Sequence, residues 1–161
     1  MNWAAPIRVV GVGSPQGDDA AAWRVVANLR QRLGNRSMFQ YHVIDGGQRL
    51  LDLVDGRGTL VLIDALKSGH AAGTIHQFSY PDCRLATLNP GSTHGLGPIE
   101  ALQLAETLGN LPPTVTIYGI EVANCDPSAE MSIAVSRATD SLAEQLAHEF
   151  GALAKGSAHH A

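Results

Sequence analysis

Residues 7–33 read IRVVGVGSPQGDDAAAWRVVANLRQRL. Residues 7–13 (IRVVGVG) are a short β-branched run ending in glycine, the pattern of a buried strand. Beyond Asp18 the period changes, and Ala22, Val25, Val26, Leu29 and Leu33 recur on one helical face. Gly34-Asn35 then supplies residues that tolerate a left-handed helix cap. A strand, a glycine turn and an amphipathic helix in succession make the first half of a parallel crossover.

The alternation continues outward. Residues 39–44 read as a second strand running into Asp45-Gly46-Gly47, and 49–54 as a short helix. TLVLID, residues 59–64, is the most strand-like stretch, and residues 74–80 alternate as a further, edge strand. A helix is expected over 96–108, with Ile99, Leu102, Ala105 and Leu108 as its apolar stripe, then a strand over 115–120 and a helix over 132–153. The expectation is a single α/β domain over residues 1–161, with 154–161 as a frayed tail. Its architecture would be a three-layer α/β/α sandwich around a twisted, mostly parallel sheet of about five strands.

Composition narrows the class. The chain has 161 residues, enough for one sizeable core, and is 45% hydrophobic and 16% charged, which is globular. A net charge of -4 and the lack of any Lys/Arg run argue against nucleic acid. Cys83 and Cys125 form neither a CxxC motif nor a disulfide-rich pattern, as in a reducing compartment. Neither a signal peptide nor a membrane-length apolar stretch is evident, so a soluble, cytoplasmic protein is expected; a monomer is expected as well.

In such sheets, sites form where the carboxyl ends of strands open into loops. Those positions carry Asp18 and Asp19, then Asp45, then Asp64, while His94 in GSTHGLG precedes a helix. Gly11, Gly13 and Gly17 make GxGxxxG, one residue longer than the dinucleotide fingerprint, and Asp45 imitates its ribose-binding acid. Two carboxylates at the helix start would nevertheless repel a pyrophosphate, and no lysine is present to grip one. Helix capping accounts for one of Asp18 and Asp19 but does not require the second. Asp45 before two glycines reads as a turn residue, and His94 alone as an ordinary loop histidine. Asp64 ends a buried strand, where a lone carboxylate is costly unless paired, ligating or solvated by a cleft. Asp19, Asp64 and His94 together form an oxygen, oxygen, nitrogen set suited to a divalent cation of intermediate hardness. No cysteine joins it, which speaks against a closed structural zinc site.

The chain resembles the hydrogenase maturation endopeptidases. The resemblance rests on GVGSPQGDD, on Asp45-Gly46-Gly47 (the family's DGG), on Leu62-Ile63-Asp64-Ala65, on Ser92-Thr93-His94-Gly95-Leu96 (its SxHxL) and on Gly119-Ile120-Glu121 (its GIE), all in register. It implies a protease that removes a carboxy-terminal peptide from the nickel-iron hydrogenase large-subunit precursor after nickel insertion. It also implies that Asp19, Asp64 and His94 are the metal-binding and catalytic residues. The metal implied is nickel presented by the substrate, with other divalent ions able to substitute in vitro. Asp18 would then cap the helix or orient the site.

The chain departs from the family pattern at Ser14, where Asn is usual, in a shortened first loop, and at Gln48, where Thr is common. Two mechanisms stay open: attack by a metal-polarised water, or a carboxylate acting as general base. The metal could instead serve recognition alone. A non-catalytic nickel-sensing maturation chaperone is the rival reading, since a shared site does not guarantee shared chemistry.

Overall fold

A computed structural model describes residues 3–82, 84–85, 96–123 and 130–158. Strands β1 (Ile7–Val12), β2 (Phe39–Ile44), β3 (Thr59–Leu66), β4 (Ile75–Ser79) and β5 (Thr114–Glu121) form one sheet in the order β2-β1-β3-β5-β4. All neighbouring pairs are parallel except β4–β5. Helices α1 (Ala21–Leu33), α2 (Gly47–Leu53), α3 (Pro98–Thr107) and α4 (Ile133–Ala158) cover the two faces. The sandwich architecture read from the alternating pattern is therefore the architecture observed.

Every residue of β1 is buried, as a central parallel strand requires. Its odd positions, Ile7 and Val9, join Val61, Ile63 and Tyr118 beneath α1 and α4, where Leu29, Leu142 and Phe150 are also fully buried. Its even positions, Val10 and Val12, join Leu60, Leu62 and Ile117 beneath α2 and α3. The strand period of two thus gives each helical layer its own core. Helix α4 runs to Ala158, beyond the Leu153 at which the apolar pattern was expected to end.

β4 lies at the edge, as its alternation implied, but runs antiparallel, pairing His76 with Gly119 and Phe78 with Ile117. Since β3 pairs Asp64 with Gly119, the three residues Asp64, Gly119 and His76 stand in one row across the sheet. Side chains abreast in a sheet share a face, here the α2/α3 face.

β1 and α1 are unusually close at Gly11. A Cβ there would lie 2.8 Å from the Ala22 carbonyl oxygen and 2.9 Å from a Val26 methyl. Backbone cannot yield as a flexible side chain can, so we expect Gly11→Ala to destabilise folding by about 2 kcal/mol, within the range for overpacked cores. The denaturant midpoint should fall with an unchanged m-value.

Candidate functional site

The sheet order places β1 and β3 side by side while their following connections diverge, and that divergence opens a crevice at their carboxyl ends. Two of the three expected ligands border it. β1 ends in a turn and a single 3-10 turn (Gly17–Ala20) that carries Asp18 and Asp19. The turn closes tightly: Ser14 N donates to the Asp19 carbonyl at 3.1 Å, and Gly13 N donates to the Ile44 carbonyl at 3.0 Å. A Cβ on Gly13 would lie 2.1 Å from the Asp19 carbonyl oxygen. Gly11 and Gly13 of GxGxxxG therefore serve approach of backbone to backbone, and Gly17 takes a left-handed φ of 56°, a local geometry unrelated to room for a pyrophosphate.

The adjacent aspartates do opposite things. Asp18 is buried, at 2% exposure, and its carboxylate accepts from Ala123 N at 2.9 Å, Ser132 N at 2.7 Å and Ser132 Oγ at 3.2 Å. It does not cap the helix that follows it, as one expectation held. It ties the first loop to the residues beyond β5 and to the start of α4. Asp19 is exposed. Holding Asp18 inward is what turns Asp19 outward, toward the crevice.

Asp64 sits at the end of the buried part of β3, half-buried, and its Oδ1 accepts from Ala65 N at 2.8 Å. Burial, opposed by that hydrogen bond and reinforced by the nearby charge of Asp19, pushes its pKa up to about 7. Among the described residues, no cationic side chain pairs with Asp64. Two carboxylates that repel one another with no balancing cation form an electrostatic trap for one.

His94 lies outside the described residues, as do Cys83 and Cys125. The chain two residues beyond His94 is fixed, because Gly47 N donates to the Leu96 carbonyl at 2.9 Å. A Cβ on Gly47 would lie 2.3 Å from the Gly97 carbonyl oxygen, so the second glycine of Asp45-Gly46-Gly47 seats the start of α3 on that of α2. Asp45 itself is exposed, in keeping with a turn role. Glu121 is 1% exposed and accepts from Ser68 N at 2.8 Å and from Ser68 Oγ. The sequence offered Glu121 only as part of a motif; its contacts depend on the β3–β4 excursion, which no short-range pattern reveals.

Residues 23–149 match the family described as hydrogenase maturation protease, and the chain belongs to that family. It is by that membership a hydrolase, an endopeptidase. Among solved structures it is similar to the hydrogenase maturating endopeptidase HybD from Escherichia coli, with a TM-score of 0.74 and 26% identity over 87% of this chain and 88% of that one. It shares the fold of the hydrogenase maturation protease HycI from Thermococcus kodakarensis, with a TM-score of 0.67 and 22% identity over 90% and 92% of the two chains. No curated protein matches the chain in sequence. The family match begins at Trp23, so the Asp18-Asp19 pair is placed by the fold and not by that match.

Two predictions follow from the contrast between these acids. Asp18→Ala should lose about 2 kcal/mol of stability, because it removes the buried acceptor that the amides of Ala123 and Ser132 share. Asp19→Ala should lose almost none, and chemical denaturation of both variants checks the pair. For Asp64, the folded state holds its proton more tightly than the unfolded chain, so this group favours folding at low pH and ceases to do so as pH rises from 3.8 to about 7. Asp64→Asn, which keeps an acceptor for Ala65 N, should therefore be more stable than the parent by about 2 kcal/mol at pH 8 and equal to it near pH 4. Parallel stability curves for the two proteins would contradict this account.

Proposed function

We propose that this protein is the processing peptidase of a nickel-iron hydrogenase large-subunit precursor, acting in the cytoplasm after nickel is in place. Asp19, Asp64 and His94 are the residues that engage the substrate's metal centre. The observation that supports the reading is the Asp19–Asp64 couple, two carboxylates at the carboxyl ends of β1 and β3 with no balancing cation among the described residues. Family membership supports the substrate class.

The donor set fits the cargo. Two carboxylates and an imidazole suit a borderline divalent ion, and their low coordination leaves positions for the substrate's own ligands. A cation seated there polarises the scissile carbonyl or lowers the pKa of an adjacent water. The chain's own part is electrostatic. With a pKa of about 7, Asp64 stands poised between its two protonation states near neutral pH. A docking cation draws it to the carboxylate, whereas an unligated Asp64 accepts a proton from water as a general base. Gly13 and Ser14 lock the Asp19 backbone, so little ordering remains for substrate to impose. The cysteine pattern, Cys83 and Cys125 without a disulfide framework, supports a reducing compartment.

The test is incubation with nickel-loaded large-subunit precursor, read by intact mass. The parent protein should release a carboxy-terminal peptide, and Asp19→Ala, Asp64→Asn and His94→Ala should each slow release by roughly 100-fold or more. Tight binding with unchanged substrate mass would replace the peptidase with a nickel-sensing chaperone.

A further inference from the structure

A second constellation lies on the same sheet face, across β5 from Asp64. Glu121 ends β5, His76 lies near the start of β4, and His70 lies in the connection between β3 and β4. Three polar side chains converge on a single oxygen, Glu121 Oε1. His76 Nε2 is 3.3 Å away, His70 Nδ1 is 3.9 Å away, and the Ser68 hydroxyl donates to it. The ligand atoms of His70, His76 and Glu121 all lie within 4.8 Å of one another. The imidazole rings meet edge to face, with centroids 4.8 Å apart.

Packing alone does not account for this convergence. Glu121 is already bonded through Ser68 N and Oγ, and burial, which raises its pKa, is outweighed by those bonds and by His76. His70 adds no direct hydrogen bond to Glu121 at 3.9 Å, yet its Nδ1 faces the carboxylate and meets the Ser68 hydroxyl at 2.9 Å. Metal–ligand bonds near 2.1 Å in a tetrahedron place ligand atoms about 3.4 Å apart. The His76–Glu121 separation already has that value, and they are the better-buried members. His70, more than half exposed, is the member free to swing inward by about an ångström. A largely buried pair with an exposed third ligand at its mouth is a capture geometry.

We propose that His70, His76 and Glu121 form a second cation site, taking a divalent first-row ion such as Zn²⁺ in two imidazole nitrogens and one carboxylate oxygen. It is separate from the Asp19–Asp64 crevice: His76 stands two strands from Asp64, about 10 Å. The Leu66 side chain lies over Gly119 between them, within 2.0 Å of where a Cβ would be. Two nitrogens select against Mg²⁺ and Ca²⁺, which prefer oxygen. An ion there staples the β3–β4 connection to the end of β5, beside the strand that carries Asp64.

The test is calorimetric titration of the full chain with ZnCl₂, in a background of Asp19→Ala, His159→Ala and His160→Ala that disables the first site and the terminal histidine pair. One Zn²⁺ per chain is expected. Adding His76→Ala should weaken it by at least ~100-fold, and adding His70→Ala by at least ~10-fold. MgCl₂ should give no heat of binding. His70→Ala alters an exposed loop side chain and keeps the assay interpretable if His76→Ala fails to fold. Absence of zinc binding in the background, or affinity unchanged by His70→Ala, would reduce the cluster to a hydrogen-bonded support for Glu121 and overturn the proposal.

Discussion

The carboxylate of Asp18 ties the loop after β1 to the chain that leaves β5 and enters α4. It gathers amide donors from Ala123 and Ser132, which lie 105 and 114 residues further along the chain. A buried charge is tolerable only with such partners, and once it has them the first loop has little freedom left. Asp19, the next residue, is consequently presented to the crevice by a backbone held from two sides, by Asp18 below and by Ser14 above. Stability and site geometry here are one network.

That arrangement keeps charge where a protein would ordinarily remove it. Asp64 could have been neutralised by a nearby arginine, as Asp55 is by Arg8 and Arg57, which hold its pKa at about 2. Instead, among the described residues, the only nearby charge acting on Asp64 is another acid. A carboxyl whose ionisation is opposed by burial and by a like charge is costly in the resting protein, a cost that a cation seated beside it would recover. The site therefore resembles a loaded electrostatic element more than a packed piece of core.

Much of this was legible in the sequence. Layer architecture followed from the switch between periods of two and 3.6 residues, and Asp64 stood out because a carboxylate directly follows the apolar run Val61-Leu62-Ile63. The role of Asp18 was not legible, since capping is a local habit and its real partners are distant in the chain. The start of α2 at Gly47, two residues before the expected Arg49, likewise depends on a tertiary contact, the Gly97 carbonyl. The direction of β4 was hidden for the same reason. Only its antiparallel return sets His76 abreast of Gly119 and brings it to Glu121. Periodicity records which face a residue occupies, but not which strand lies beside it.

The absence of a side chain at Gly119 has a consequence of its own. Leu66 leans across that bare stretch of β5 and fills the space a Cβ would take. The leucine thereby acts as a hydrocarbon bulkhead between two polar compartments on one face, one acidic and the other rich in imidazole. Even an alanine at position 119 would force the Leu66 side chain aside. A single missing carbon keeps them insulated.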